Sequence, residues 1–191
     1  KDHTYRLGKR VGIWKYYYSD GTKHTEWNIE QSQCKYYYPS GELSGESTAD
    51  VNGQPDGAYR GYYKSGKLRM ELTYKNGKLN GLCKWYFENG AVEYEGNFKN
   101  DLPDGEFKTY FEDGSIYEEG GYSNGNDDGI FKTYSSAGEV LSIFRYRDGQ
   151  LIEDNPVFAK GKIDGTYEIH YQNGFLEKEI GVKEGMFEGH W

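Results

Sequence analysis

Among residues that could do chemistry, the sequence offers two cysteines, four histidines, 31 acidic residues and 20 tyrosines. His3, His24, His170 and His190 are scattered, without the close Cys/His/Asp spacing of a zinc site or a visible nucleophile partner, so surface or packing roles are expected of them. The string Asn124-Gly125-Asn126-Asp127-Asp128-Gly129 has calcium-ligand residue types. It lacks the spacing and terminal bidentate Glu of an EF-hand loop and reads as a turn. Asp/Glu pairs are abundant, as on any charge-laddered sheet, and do not by themselves argue a glycosidase. Neither glycine-rich phosphate-loop fingerprint occurs. The expectation is a protein without catalysis, cofactor or metal.

Two patterns stand above this background. Tyr17, Tyr37, Tyr62, Tyr86, Tyr110 and Tyr134 recur at one position of an internal repeat. Amphipathic rings in such a column could stack on sugars or contact a protein with little rotamer entropy to lose, or simply shield the sheet and its charged neighbours. The second pattern is a run from Glu88 to Asp128 with 12 acids and two bases, a local charge of −10 in a chain whose total is −8. In a linear array, nearness in sequence becomes nearness in space. Asp101, Asp104, Glu106, Asp113, Glu118, Asp127 and Asp128 are therefore expected to gather near the middle of the molecule, as solvated surface or as a docking surface for a basic partner.

The elements that must position these residues follow from the glycines. With slot zero at Gly57, Gly81, Gly105 and Gly129, the chain advances in steps of 24 residues, and Gly165 to Gly189 repeats the step. Gly12 opens an earlier copy and Ser32 holds slot zero of the next. All seven full copies have glycine at slot nine, a third glycine closes five copies at Gly53, Gly77, Gly125, Gly149 and Gly185, and these three slots hold 19 of the 27 glycines. Pairs such as Asp20-Gly21, Asn89-Gly90 and Asp113-Gly114 read as two-residue hairpin turns in which both residues take positive φ. Facing slots then sum to seventeen. Slot three meets fourteen in Lys15/Glu26, Lys35/Glu46, Arg60/Glu71, Lys84/Glu95 and Lys108/Glu119, all opposite charges. Slot six is expected to meet eleven in apolar pairs such as Tyr63/Leu68 and Phe87/Val92.

Even slots of the first strand then form the buried face, with Trp14, Tyr59, Phe107, Phe131, Tyr167 and Trp191 at slot two, while odd slots face water. Cys34 and Cys83 share slot two in copies two repeats apart, about 19 Å at ordinary strand spacing, too far for a disulfide. The predicted fold is all-β: an elongated antiparallel meander of about seven 24-residue hairpins in an open, twisted single sheet or trough, about 15 strands, with almost no helix. Residues 1–11 serve as an N-terminal cap or a disordered lead-in, and 12–191 form one array. A step of 36 residues from Gly129 to Gly165 leaves room for an extra strand and turn around Pro156-Val157-Phe158, an insertion near 150–160.

The stretches YKNGKLNGLCKWYFENGAVEYEGNFKN and DGEFKTYFEDGSIYEEGGYSNG resemble the MORN-repeat variant, a membrane-occupation-and-recognition-nexus-like repeat common in bacterial proteins. The resemblance covers roughly residues 12–191, with departures at Ser32, Asp101, His170 and the 12-residue insertion. It implies an all-β hairpin array without enzymatic activity, and a bacterial antitoxin or immunity protein that neutralises a toxin by direct binding. Other MORN proteins are scaffolds or are tied to membranes through acidic phospholipids.

The first functional expectation is accordingly a protein-binding module whose partner, a cognate toxin or effector, presents a basic surface. The alternatives are a cell-envelope glycan or peptidoglycan binder that uses the tyrosine column, and a membrane-associated scaffold. The net charge of −8 argues against nucleic acid, and no apolar run approaches the roughly 20 residues of a membrane-spanning helix. The seven bases and four acids before residue 39 weigh little against the acidic middle. The chain begins at Lys1; the expected compartment is the bacterial periplasm or cell envelope if a leader was trimmed, and the cytoplasm otherwise.

Overall fold

A computed structural model describes residues 2–155, 165–170, 176–183 and 186–188. The described residues are all-β, with no helix. Sixteen strands form one antiparallel sheet that follows the order of the sequence from the edge strand Asp2–Arg6 to Gln150–Asn155, with the two-residue strands Lys78–Leu79 and Asn126–Asp127 paired to the strands before them and off this path. A second, three-stranded sheet comprises Gly165–His170, Leu176–Lys183 and Met186–Glu188. The turn expected around Pro156-Val157-Phe158 and the core side chains expected at Tyr167 and Trp191 lie outside the described residues. Asp2–Arg6 pairs with Lys9–Tyr17, and Trp14 Nε1 donates to the Thr4 carbonyl at 3.2 Å, so this strand covers the first tryptophan of the array.

The charged rung has the predicted register. Lys15, Glu26, Lys35, Glu46, Arg60, Glu71, Lys84, Glu95, Lys108, Glu119 and Lys132 are partners in turn across successive strands, alternating in sign along one row of the sheet. Opposite charges facing one another stabilise a sheet, and a row of them fixes register, because a one-residue slip would turn every charge to the apolar face.

The hairpin turn differs from expectation. Phe87 N–H donates to the Ala91 carbonyl and Gly90 N–H to the Phe87 carbonyl, both at 2.9 Å. This is a three-residue loop in which only slot nine has positive φ (Gly90, +94°). The Asp or Asn at slot eight acts as an acceptor: Asn89 Oδ1 takes the Ala91 N–H, and Asp113 Oδ1 takes the Ser115 N–H, each at 2.8 Å. Paired positive φ occurs instead in the turns between repeats, as at Asn76-Gly77 (+52°, +76°).

The longer loop also corrects the slot-six pairing. Slot eleven faces slot five, as in Val92/Tyr86 and Leu68/Tyr62, and a bulge at slot twelve restores the sum of seventeen farther along. The bulged residue packs on the slot-six ring instead: His24 on Tyr18 at 4.6 Å and Tyr117 on Phe111 at 5.2 Å.

Trp14, Trp27, Cys34, Leu72, Cys83, Phe107 and Phe131 are buried on the even-slot face. Both cysteines are free, and burial raises both thiols above their ordinary pKa.

Candidate binding surfaces

On the odd-slot face the tyrosine column is built into the charged row. Tyr17 is exposed, whereas Tyr37, Tyr62, Tyr86, Tyr110 and Tyr134 are half-buried. Four hydroxyls donate to the rung glutamate of the preceding repeat: Tyr62 to Glu46 and Tyr86 to Glu71 at 2.7 Å, Tyr110 to Glu95 and Tyr134 to Glu119 at 2.6 Å. Burial, and then this bond to a carboxylate, push all four phenols up to about 12.

The glutamates move the other way. The Tyr86 hydroxyl and then Arg60, at 3.1 Å, lower Glu71. Lys84, at 2.8 Å, and then Tyr110 lower Glu95. Tyr134 and then Lys132, at 3.4 Å, lower Glu119. The column is thus a hydrogen-bonded strut between repeats, its polar tips engaged within the chain. Slot six adds a second tie: the Tyr38 hydroxyl donates to the Tyr62 carbonyl at 2.7 Å and that of Tyr63 to the Tyr86 carbonyl at 2.6 Å.

The acidic residues do not form one cluster. Asp101, Asp104, Asp127 and Asp128 lie along the edge that carries the turns between repeats, with Glu106 exposed on the strand just inside it. Two of these acids hold that edge together. Asp101 Oδ1 accepts the Leu79 N–H at 2.8 Å, and Asp104 accepts the Asn124 N–H at Oδ1, at 3.2 Å, while its Oδ2 lies 3.9 Å from Lys99 Nζ. Asp113 sits at the opposite edge in a hairpin turn, and its Ser115 partners lower its pKa. Glu118, at slot thirteen, stands on the even-slot face, away from the rung. Sequence nearness groups these acids along the array, but the twofold alternation of a strand decides the face.

The even-slot face is the surface the sequence reading treated only as core. Over the middle repeats its rings are in continuous contact, with Trp85, Tyr94 and Tyr122 half-buried and Phe107 and Phe131 buried: Trp85 with Tyr94 at 5.2 Å, Tyr94 with Phe107 at 6.0 Å, and Phe107 with Tyr122 at 4.9 Å and Phe131 at 5.5 Å. A cleft of 740 Å³ opens here, walled by Trp85, Phe87, Tyr94, Thr109, Tyr117 and Glu118 among others. A smaller hollow of 340 Å³ shares Trp85 and Tyr94 with it and adds Phe98, Pro103 and Tyr122. Because the sheet is one layer, its aromatic face has no second layer among the described residues.

One row of this face runs Met70, Trp85, Tyr94, Thr109, Glu118, Thr133, Ser142 across neighbouring strands, changing from apolar to polar at Thr109. Glu118 is the one charged member of the row, and burial, then the charge of Asp127, raise its pKa. Among the described residues no three His, Cys, Asp or Glu side chains gather where they could hold a metal ion. No helix among them is long and apolar enough to cross a membrane.

Fold and surfaces together define a repeat-built binding module: a sheet braced by charge on one side and open with rings on the other. The family described as the MORN repeat variant matches residues 10–31, 55–76, 79–100 and 103–124, so over these four spans the hairpin unit is similar to that repeat. No curated protein matches the chain. The crystal structure of TcdB2-TccC3-TEV aligns over 91% of this chain and 11% of that one at 13% identity with a TM-score of 0.24, a likeness that carries no argument here.

Proposed function

We propose that this chain is a non-enzymatic protein-binding module, and specifically an antitoxin or immunity protein that neutralises a toxin by covering its working surface. The observation that carries this reading is the open aromatic face across the middle repeats, whose cleft lies toward the hairpin-turn edge and carries Glu93 and Glu118, while Asp101, Asp104, Asp127 and Asp128 line the opposite edge. Exposed aromatic surface rimmed by polar groups is the usual anatomy of a protein interface, with rings supplying affinity and charge supplying steering.

Affinity purification from the native organism with this chain as bait tests the reading. A captured protein whose toxicity is relieved by co-expression supports it, with binding that weakens as salt rises and with charge reversal at Asp101 and Asp104. Capture of nothing, or of a protein whose activity this chain leaves unchanged, defeats it. The tyrosine column is the weaker basis for a glycan-binding reading, because four of its hydroxyls are already bonded to glutamates.

A further inference from the structure

We propose that Glu118 and Thr109 form a socket for a lysine or arginine side chain of a protein partner, whose aliphatic stem lies along the Tyr94 end of the aromatic cleft. The inference rests on the protein-binding reading for its natural ligand, and it adds the chemistry by which that ligand is anchored.

The observation behind it is a contrast between neighbours. Glu119 receives the Tyr134 hydroxyl at 2.6 Å and Lys132 at 3.4 Å, whereas among the described residues no hydrogen bond or ion pair reaches the Glu118 carboxylate. Its only charged influence is another acid, Asp127, and it stands half-buried. A carboxylate withdrawn from water without a partner costs free energy that the fold does not recover. Thr109, its direct partner across the strands, has a buried hydroxyl that also lacks a hydrogen-bond partner. Two adjacent residues lining the same cleft therefore carry unmet hydrogen-bonding capacity, Glu118 at its half-buried surface and the Thr109 hydroxyl just beneath, and buried polar groups in folded proteins are otherwise nearly always satisfied.

The walls select the complement. A lysine or arginine cation donates to a carboxylate and a hydroxyl together, supplies the opposite charge that a neutral donor does not, and lays its alkyl stem over ring faces that attract it further. Trp85, Tyr94, Thr109 and Glu118 stand on successive strands in that order, so a side chain entering over Trp85 and Tyr94 brings its charged end to Thr109 and Glu118. The chain's own cleft cation, Arg69, lies over the Tyr63 ring at 5.8 Å, toward the other end of the cleft. A purely apolar side chain would cover the rings and leave the carboxylate desolvated and unpaired, and a sugar hydroxyl could donate to it without supplying the opposite charge that a half-buried carboxylate favours.

The test titrates the full chain with Nα-acetyl-arginine amide and with its uncharged isostere Nα-acetyl-citrulline amide, following the Trp85 indole N–H by NMR. The arginine probe is expected to shift that signal saturably, with the citrulline probe at least about tenfold weaker. In Glu118→Gln the two probes should bind alike, and in Thr109→Val discrimination should fall while the chain stays folded. Equal binding of both probes to the wild type overturns the proposal, as does no shift with either. A shift produced by chitohexaose but not by the arginine probe overturns it as well. A Glu118→Gln chain that failed to fold would leave the wild-type comparison decisive. Probe discrimination in a chain that captures no protein would defeat the immunity reading alone; a captured toxin bound by a chain blind to the arginine probe would defeat only this inference.

Discussion

Glutamates on the two faces of the sheet stand in opposite chemical environments, and their substitutions should separate accordingly. Glu95 holds Lys84 at 2.8 Å and the Tyr110 hydroxyl at 2.6 Å, so Glu95→Gln is expected to cost about 1 kcal/mol, a figure already discounted for partial exposure. Glu118→Gln removes an unpaired half-buried charge and should be neutral or stabilising by up to about 1 kcal/mol. Urea midpoints measure both, and equal losses would mean that Glu118 is paired after all. The same bonds set the pH limits. Glu71, Glu95 and Glu119 are lowered from 4.5 in the folded chain, so their contribution is full above that value and is lost as the pH falls through their lowered pKa values. Their tyrosine partners are raised from 10.0, so on the alkaline side the contribution is full below 10 and lost as the pH rises through about 12. Thermal melting across pH should show both shoulders, and Tyr110→Phe should flatten the alkaline one. The rung partners themselves were legible in the sequence, because opposite charges recur at a fixed spacing. Glu118 was not: sequence alone grouped it with other acids along the array, and only the strand's alternation moves it to the ring face.

At the level of the hairpin, the number of glycines conceals two different jobs. Those at slot nine serve a turn, where the residue must adopt positive φ, and their period made the repeat visible. Gly120 serves packing instead: a Cβ there would lie 2.7 Å from the Phe131 ring and 2.8 Å from the Phe107 ring. Gly120→Ala is therefore expected to destabilise by about 1–3 kcal/mol through displaced rings rather than through backbone strain. Pairing it with Phe131→Leu, which frees space beside the new methyl, should give less than the sum of the two single losses, a coupling measured by a double-mutant cycle. Additive losses would show that ring displacement is not the cause. The turn type escaped the sequence reading because Asp or Asn before Gly suits both kinds of loop: as positive-φ formers in a two-residue turn, or as acceptors for the N–H two residues on. Ser40, Ser65 and Ala137 at slot eight are compatible with the three-residue loop because only the glycine after them is left-handed.

Across the whole molecule the meander and its aromatic stripe followed from periodicity, whereas the openness of that stripe did not, since apolar spacing signals a face and not what covers it. A one-layer sheet of sequence neighbours has a mechanical consequence of its own. Each strand is held by the strands before and after it, and no pairing in the main sheet joins segments remote in sequence. Stability in such an array is a sum of unit and neighbour terms, so damage spreads only as far as contacts carry it. Phe107 touches the rings of Tyr94, Tyr122 and Phe131, a span of the middle repeats, while Trp14, Trp27 and Cys34 form a separate buried group near the start. Phe107→Ala should cost the middle repeats about 3–5 kcal/mol. Hydrogen exchange read by mass spectrometry is expected to show lost protection for amides between residues 94 and 131 and near-native protection between residues 9 and 37. Equal loss in both segments would mean that the array unfolds as one cooperative body and that its nearest-neighbour topology does not govern its energetics. Local loss would mean that the cleft can loosen to admit a partner while the N-terminal repeats remain a fixed frame for it.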